Sequence, residues 1–486
     1  LQVTTVKLIA KEYGGNAMLP EKNTMILAND QYYSLDCHKT QLNNNVLVVG
    51  CSGAGKTRSI VTPNLLQATG SYVVSDPKGN LYKQYGNYLR KQGYTVKCLD
   101  FVNPERSVGY NPLEYIRNSQ DIVKMAYMLV YNSKHTGARS VDPFWDEASA
   151  LLVASLIGYI METCEEWRLE YVLKILCKGK RSESRISGGK NALQCMMDEH
   201  QMRYPGSWAC REFAKADVAS DRTFNSMLIT LTATLGNLSS KEINKMLSKD
   251  EIDISSLGRK KTVLFVVVSD TDRSMDTFVN LFFTQAMNEL CRYADEKCPN
   301  STLPVPVRFI LDDFATNCRI AEFPRMISSI RSRGISAMLM VQSEGQLEEG
   351  YGADGKTIIS NCDTYIYLGG NDTATATAIA ERSDLPLCDI LNMPVGYNWL
   401  FRRGQAPFFN RNFNLEAFLR ARKIVPDRLK GHSEKCAKNN KNSITDSLRY
   451  SMMSKEETEE MYARWMAEEF DDDGLACIAS IEDDEE

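Results

Sequence analysis

The eight residues Gly50-Cys-Ser-Gly-Ala-Gly-Lys-Thr57 constrain the fold more strongly than any other segment of this chain. They directly follow the apolar run Val46–Val49 and precede a stretch of helical character. Glycines at this spacing let backbone N–H groups turn inward around phosphate oxygens, and the N-terminus of the following helix adds a positive dipole. The strand before the loop and the helix after it distinguish this P-loop from a chance glycine-rich turn. The segment therefore predicts a nucleotide-binding α/β domain.

The P-loop also predicts how the nucleotide is held. Lys56 is expected to neutralise the β- and γ-phosphates of ATP, and the Thr57 hydroxyl to coordinate Mg²⁺. Because Pro63 lies only six residues beyond Thr57 and lacks an N–H, we expect the helix after the loop to be short or kinked. The residues predicted to bind the nucleotide are Gly50, Cys51, Ser52, Gly53, Ala54, Gly55, Lys56, Thr57 and Arg58.

A second apolar run, Arg308-Phe-Ile-Leu-Asp-Asp313, ends in two carboxylates. Asp312 is predicted to bind Mg²⁺ together with Thr57, and Asp313 to orient or deprotonate the attacking water. An apolar run that ends in Asp is weak evidence alone, since it can simply cap a strand, but the P-loop strengthens it. Lys56 and Asp312 are 256 positions apart, which is more than one or two βα units require. The spacing predicts a large insertion.

Seven short apolar runs predict the buried strands of a parallel sheet. Between residues 113 and 258 we find no strand pattern, and apolar residues recur there at helical spacing. The predicted division is a first nucleotide-binding segment over residues 1–112, an all-α insertion over 113–258, a second nucleotide-binding segment over 259–430 and a polar, acidic extension over 431–486. The runs are Val46–Val49, Ser71–Ser75, Tyr94–Leu99, Thr262–Val268, Val307–Leu311, Ala337–Val341 and Thr364–Leu368.

The distribution of charge along the chain indicates which classes of binding partner suit it. The composition, 43% hydrophobic and 24% charged, is that of an ordinary globular protein and excludes wholesale disorder, collagen and coiled coil. Residues 456–486 hold fourteen acidic side chains and one basic one, so the rest of the chain carries a net +8 although the whole carries −5. A basic body suits a protein that handles nucleic acid. The acidic tail is either a disordered, solvating terminus or a docking peptide for basic partners.

The cysteines and histidines argue against other classes of protein. The 14 cysteines are scattered without a Cys-x-x-Cys pair, and there are only four histidines. This pattern favours reduced thiols in a cytosolic chain over a zinc site or a secreted disulfide scaffold.

Further polar positions each have two interpretations. Gln342 ends the strand after Asp312, where it either senses the γ-phosphate or caps the strand. Arg331 is either an arginine finger that completes a neighbouring subunit's site or a solvated residue near a helix end. Asp76-Pro-Lys-Gly79 ends the strand after the P-loop, either beside the nucleotide crevice or in an ordinary turn. Arg402 and Arg403 are candidates for following DNA in a pore, or are simply exposed.

Several motifs, taken in this order, are very specific. With them the chain resembles the type IV secretion coupling proteins, the VirD4/TraG group of conjugative DNA-transfer ATPases, and particularly the versions from Gram-positive mobile elements. The resemblance spans about residues 10–420. Its motifs are Asn45–Gly50 with the P-loop, Ser75–Gly79, Gly93–Val96, Tyr110–Leu113, Asp142–Trp145, Leu311–Ala315, Ile330–Ile335 and Asn361–Thr364.

The resemblance implies an ATP- and Mg²⁺-dependent RecA-like motor with a small inserted all-α domain. It implies a hexameric ring beneath the secretion channel, with Arg331 as arginine finger and Gln342 as sensor. The implied partners are single-stranded DNA bound without sequence specificity, a relaxase with its relaxosome proteins, and components of the channel. The chain departs from the family at Asp313, where Glu is usual, and we therefore expect slow basal hydrolysis.

The resemblance also implies a place at the cytoplasmic face of the bacterial membrane. Members usually begin with transmembrane helices, but the longest uncharged apolar stretch here, Ala148–Met161, is 14 residues, short of the roughly 18 to 20 that span a bilayer. We expect a soluble chain whose anchor is removed or lost, and which is largely monomeric when isolated. An alternative function stays open, because Asp313 is unusual: a substrate receptor that binds nucleotide and cargo with negligible hydrolysis.

Overall fold

The computed structural model describes residues 20–131, 144–180, 191–314, 316 and 318–427. The extension predicted at 431–486, with its acidic tail, lies outside the described residues, as do Asp142 and Ala315 of the motifs above. The strands are β1 (Thr24–Ala28), β2 (Gln31–Ser34), β3 (Val46–Val49), β4 (Ser71–Pro77), β5 (Thr95–Asp100), β6 (Thr262–Val268), β7 (Val307–Leu311), β8 (Ile335–Val341), β9 (Thr364–Tyr367), β10 (Tyr397–Arg402) and β11 (Phe408–Arg411).

Helices connect most of these strands. The α-helices are α1 (Cys37–Thr40), α2 (Thr62–Leu66), α3 (Asn80–Lys91), α4 (Ser119–Tyr131), α5 (Phe144–Thr163), α6 (Glu170–Lys180), α7 (Ala192–Arg203), α8 (Trp208–Ala216), α9 (Asp221–Thr234), α10 (Lys241–Leu247), α11 (Asp276–Lys297), α12 (Phe323–Met326), α13 (Gly345–Tyr351), α14 (Gly355–Ser360), α15 (Thr373–Ser383), α16 (Leu387–Leu391) and α17 (Leu415–Ala421). Short 3₁₀ turns cover Pro104–Arg106, Pro112–Tyr115, Gly236–Ser239, Ile254–Gly258, Pro299–Ser301, Ile330–Arg333 and Gly352–Asp354.

Nine strands form one sheet in the order β11-β10-β9-β3-β8-β7-β4-β6-β5. The seven from β9 to β5 are parallel, and they correspond to the seven apolar runs, so the predicted α/β sheet is confirmed. Strand β3 shows why such runs are apolar throughout. Its Val46 and Val48 pack with the layer that holds the P-loop helix, whereas Leu47 and Val49 pack with the opposite layer. Both faces are buried, so neither tolerates polar residues.

The sequence prediction missed two hairpins. β10 is antiparallel to both of its neighbours, β9 and β11, so the sheet is mixed rather than wholly parallel. Strand β10 alternates between half-buried aromatic residues and a buried set that includes Asn398 and Arg402. Polar residues at buried positions obscured the strand pattern. The second hairpin, β1 with β2, is too short to give a periodic signal.

The helix after the P-loop is short, as Pro63 predicted. The chain makes one π-helical turn over Thr57–Val61, closed by the Thr62 N–H donating to the Thr57 carbonyl, and α2 ends at Leu66. The buried Asn64 anchors this helix: its side chain accepts from the Ile26 N–H at 3.0 Å and donates to the Ile26 carbonyl at 2.7 Å. The polar pair fastens strand β1 against the P-loop helix.

Between β5 and β6 the described chain is helical and contains no strand, in agreement with the predicted all-α insertion. Its central helix, α5, is buried at every residue from 152 to 158, as expected of a helix that is apolar on all sides. Glu162 near the end of α5 accepts from the N–H groups of Trp208 and Ala209 and contacts the His200 imidazole at 2.7 Å. Among the helices of the described ranges, none combines the length and apolarity needed to cross a bilayer.

Candidate functional site

The P-loop begins at the carboxyl edge of the parallel sheet, where two neighbouring strands hold it. The Gly50 N–H donates to the Val341 carbonyl of β8 at 3.1 Å, and the Cys51 N–H donates to the Gly369 carbonyl beyond β9 at 3.0 Å. Ligands of such sheets bind outside the carboxyl ends of the strands. The strand order therefore puts the loop where a nucleotide is expected.

Two glycines of the loop are required by its shape. A Cβ on Gly50 would lie 2.9 Å from the Cβ of Leu368, which directly follows β9, so no larger residue fits there without displacing that segment. Gly55 has φ +88°, in the region that strongly favours glycine. Cys51, Ser52 and Gly53 are exposed, which leaves the outer side of the loop open to a ligand.

Lys56 turns back into the loop. Its Nζ donates to the Gly50 carbonyl at 2.6 Å and to the Cys51 carbonyl at 3.0 Å, and the residue is only 8% exposed. A buried ammonium needs oxygen partners, and here the loop carbonyls provide them. Its position at the centre of the loop fits a cation that contacts bound phosphate.

Thr57 and Asp312 meet directly although they are distant in sequence. The Thr57 hydroxyl donates to Asp312 Oδ2 at 2.6 Å, which joins the P-loop to the end of β7. Burial raises the pKa of the Asp312 carboxyl, the nearby Asp313 raises it further, and the Thr57 hydrogen bond opposes both effects. Two hard oxygen donors with concentrated negative charge fit Mg²⁺. Thr57 and Asp312 are the residues that would hold the ion.

Asp313 takes a left-handed backbone conformation with φ +50°, which is uncommon for a residue other than glycine. Its N–H donates to Asp312 Oδ1 at 3.2 Å, so the turn orients the neighbouring carboxylate. Its own side chain is half-buried at the same edge as the P-loop. The position is compatible with a base; the role itself stays a prediction.

Gln342 lies at the end of β8, the strand inserted between the P-loop strand β3 and the Asp312 strand β7. The residue is exposed, and its N–H donates to Gln346 Oε1 at 2.8 Å. The sheet therefore brings Gln342 between the two motifs, and its role as a phosphate sensor stays a prediction.

Asp76 of the Asp76–Gly79 motif caps a helix and also lies beside Asp312. Its oxygens accept from the N–H groups of Leu81 and Tyr82 at the start of α3, at 3.1 and 2.8 Å. It is 1% exposed, and burial raises its pKa to about 6, with a smaller contribution from Asp312 on the adjacent strand. The turn interpretation and the crevice interpretation are both partly right.

Arg58 was grouped with the nucleotide-binding residues, but its side chain points to the protein. The guanidinium forms an ion pair with Glu416 of α17. This contact attaches α17 to the start of the P-loop helix. A contact of Arg58 with the nucleotide would fall to its backbone N–H and stays a prediction.

Arg331 lies at the opposite edge of the sheet. It precedes β8, whereas the P-loop follows the carboxyl ends, so a strand of seven residues, roughly 20 Å, separates it from the site of its own chain. Arg331 is exposed, and its Nη2 donates to the Cys37 carbonyl at 3.1 Å. The arginine does not reach the nucleotide site of its own subunit.

The two candidate pore arginines are engaged within the chain. Arg402 is 9% exposed and stacks on Tyr33, with its guanidinium carbon 4.0 Å from the ring centroid. Arg403 forms an ion pair with Asp363, whose other oxygen accepts from the Asn43 N–H at 2.6 Å. Arg402 is buried, so both interpretations, DNA contact and exposed residue, are wrong for it, whereas Arg403, with a side chain 60% exposed, stays a candidate. Arg402 occupies a buried position of β10, which sequence reasoning did not recognise as a strand.

One residue near the loop was missed entirely. Asn412, just beyond β11, has its Nδ2 3.8 Å from the position that a Cβ on Gly55 would take. Its amide oxygen accepts from Asn398 Nδ2 at 2.9 Å. No sequence signal links position 412 to position 55, because the antiparallel hairpin that joins them was not predicted.

Comparison with known proteins identifies the family. The family model for type IV secretory system conjugative DNA transfer matches residues 9–383. The protein VirD4 of Rhizobium rhizogenes is 25% identical over 349 residues, covering 69% of this chain and 48% of that protein. The chain thus spans about half the length of the curated relatives it matches. The narrower resemblance to Gram-positive mobile elements is not tested by these matches and stays a prediction.

Solved structures of the plasmid coupling protein TrwB share the fold. TrwB in complex with the ATP analogue ADPNP has a TM-score of 0.59 at 15% identity, covering 84% of this chain and 91% of the other. TrwB in complex with ADP and Mg²⁺ has a TM-score of 0.58 at 16% identity, covering 84% and 92%. The predicted RecA-like fold with a helical domain is confirmed, while the domain boundaries stay predictions. The chain belongs to the type IV secretory system conjugative DNA transfer family.

Proposed function

We propose that the chain is the ATP- and Mg²⁺-dependent motor of a type IV coupling protein. The observation that carries the proposal is the 2.6 Å contact between Thr57 and Asp312, beside a Lys56 ammonium that the loop holds inside. These are the components that P-loop ATPases use to bind phosphate and metal. When bound, Mg²⁺ would neutralise charge on the phosphates.

The residues of this chain have separate tasks in hydrolysis. The backbone N–H groups of the loop and Lys56 bind the phosphates, Asp313 orients a water, and Gln342 contacts the γ-phosphate end. Arg331 lies at the opposite edge of the sheet from this site. The guanidinium of Arg331 can therefore act only on the nucleotide site of another copy of the chain. This arrangement supports assembly into the predicted hexameric ring, in which each site lies at a subunit contact.

The proposed cargo is relaxase-bound single-stranded DNA, delivered to a secretion channel at the cytoplasmic face of the membrane. The net +8 of residues 1–455 supports contact with a phosphate backbone, which needs no base recognition. The family supports the role of recruiting such cargo, because its description names conjugative DNA transfer.

The decisive experiment measures ATP turnover by the purified chain with and without single-stranded DNA over a salt series. A motor should hydrolyse ATP slowly alone and faster with DNA, with less stimulation at high salt because phosphate contacts release counterions. The alternative receptor would bind ATP and DNA without turnover. That alternative is favoured by Asp313, whose carboxylate is one methylene shorter than the usual Glu. Absence of both binding and turnover would reject the site itself.

A further inference from the structure

The β10–β11 hairpin brings an amide to the P-loop from the side opposite the metal-binding carboxylate. Asn412 is half-buried, its N–H donates to the Gly396 carbonyl at 2.8 Å, and its Nδ2 lies 3.8 Å from the Cβ position of Gly55. The segment after Asn412 also contacts the start of the P-loop helix, because Glu416 forms an ion pair with Arg58. The backbone around Asn412 is therefore fixed relative to the loop.

A buried residue sets the orientation of this amide. Asn398 is completely buried in β10 and donates its Nδ2 to Asn412 Oδ1 at 2.9 Å, which leaves the Nδ2 of Asn412 toward the loop. The Oδ1 of Asn398 is buried without a hydrogen-bond partner among the described residues. An unpaired buried polar atom is destabilising, so an apolar residue would pack better at this position. The pair is thus better explained by what it orients than by packing.

The strand order indicates which end of the nucleotide faces Asn412. Asp312 and Gln342 lie on the β8–β7 side of the P-loop strand, where the metal and the terminal phosphate are expected. Asn412 arrives from the β9–β11 side, across β3. A nucleotide bound with its γ-phosphate toward Asp312 therefore has its nucleoside end toward Asn412, which lies beside Gly55 of the loop that cradles the α- and β-phosphates.

We infer that Asn412 Nδ2 donates a hydrogen bond to an α-phosphate oxygen of the nucleotide, and that Asn398 is its positioning residue. The inference rests on the proposed binding of ATP. A neutral amide donor adds to the loop N–H groups at this end without competing with Lys56 for the terminal phosphates. It also makes the C-terminal hairpin a component of the nucleotide site.

The test measures the Kd of Mg²⁺-ATP, Mg²⁺-ADP and Mg²⁺-2′-deoxyATP by calorimetry. Asn412→Ala should weaken all three about tenfold, because a hydrogen bond to a charged group is lost. Asn412→Asp should weaken them by about 30-fold or more, since a carboxylate would face the phosphate. The matched control is Gln405→Glu, the same amide-to-carboxylate change at the exposed, far end of this hairpin, which should leave Kd unchanged.

The outcomes separate this inference from the proposed function. If the wild-type chain does not bind ATP, the proposed function fails. If the wild-type chain binds but Asn412→Asp binds equally well, the inference is wrong. A loss for ATP that disappears with 2′-deoxyATP would place the amide at the ribose and would also overturn it.

A second variant protects the test against misfolding. Asn398→Leu replaces a buried amide by a residue of similar size and leaves Asn412 in place but free to rotate. It should fold, as judged by thermal unfolding without nucleotide, and bind all three nucleotides about threefold more weakly. Folded Asn398→Leu with wild-type affinity would overturn the positioning role.

Discussion

The two edges of the parallel sheet differ in what they can do alone. At the carboxyl edge, Thr57 donates to Asp312, and Lys56 donates to the carbonyls of its own loop, all within one chain. Lys56 and Asp312 are buried, whereas Thr57 is exposed. At the amino edge, Arg331 is exposed, and its hydrogen bond within the described residues goes to the Cys37 carbonyl. The carboxyl edge thus brings together candidate site residues of one chain. Arg331, at the amino edge, is too far away to contact them.

A second arginine at the amino edge does have a charged partner within its own chain. Arg403 makes an ion pair with Asp363, which in turn holds the Asn43 backbone beside the start of the P-loop strand. Arginines at this edge can therefore serve structure. The contrast with Arg331 indicates that an exposed guanidinium here is available for another copy, and the predictions below test that contrast.

The largest effect is expected from Lys56→Ala at the carboxyl edge. The phosphates would lose their principal cation, and ATP turnover should fall by at least about 10³-fold, with weaker nucleotide binding. Steady-state phosphate release measures the rate. The exposed Lys91→Ala at the end of α3 is the control and should keep the wild-type rate. Wild-type turnover in Lys56→Ala would remove the P-loop from the mechanism.

The next largest effect is expected from Arg331→Ala, which tests whether the carboxyl edge of one subunit and the amino edge of another form a shared site. Arg331→Ala should be inactive alone, because a finger supplied in trans contributes about 10³ to 10⁵ in rate in well-studied GTPases. In a mixture, a Lys56→Ala subunit still offers its arginine to the intact P-loop of an Arg331→Ala neighbour. Partial turnover should return under conditions of assembly. If wild-type subunits co-assemble with both variants and the mixture remains inactive, the two edges do not form a shared site.

Arg403→Ala provides the matched control for that mixture. It removes a guanidinium from the same edge, but one that already has a partner within the chain. We expect a small loss of stability, about 1 kcal/mol for a mostly exposed arginine, and little change in turnover. A loss of turnover as severe as that of Arg331→Ala would mean that the whole edge, rather than Arg331, matters.

Asp76, at the carboxyl edge, should make the free energy of unfolding depend on pH. Asp76 has a folded pKa of about 6 against a reference value of 3.8, so between these values the folded state holds a proton that the unfolded state has lost. Its contribution therefore lowers the free energy of unfolding as pH rises from about 4 to 6, by at most about 3 kcal/mol. Asp76→Asn should flatten that region of the profile in denaturant titrations. An unchanged profile would show that Asp76 ionises normally.

The smallest effect is expected from Asp313→Glu. If the short carboxylate limits activation of water, restoring the methylene should raise turnover a few-fold, about 1 kcal/mol in the barrier. An unchanged or lower rate would show that the left-handed turn at Asp313 already matches the carboxylate to this site. Single-turnover kinetics separate this step from nucleotide release.

Much of the site was predictable because its signals are local. The P-loop and the Asp312–Asp313 ending are read from a few adjacent residues, and near-continuous apolar runs identify strands that are buried on both faces. The change from a π-helical turn to a short α-helix after the loop fits Pro63, which lies in the first turn of α2 and lacks the N–H that an uninterrupted helix needs. The strand order, in which only β8 separates β3 from β7, then explains why the two motifs meet.

The remaining features depended on contacts between distant segments. The sequence by itself determined the nucleotide-binding strand and loop, the seven parallel strands and the helical insertion, because each has a local pattern. Only the tertiary structure decided that Asp76 lies beside Asp312, that Arg402 is buried, and that Asn412 reaches the loop. Those outcomes follow from strand order and from an edge hairpin whose buried positions are polar, and no local pattern encodes either.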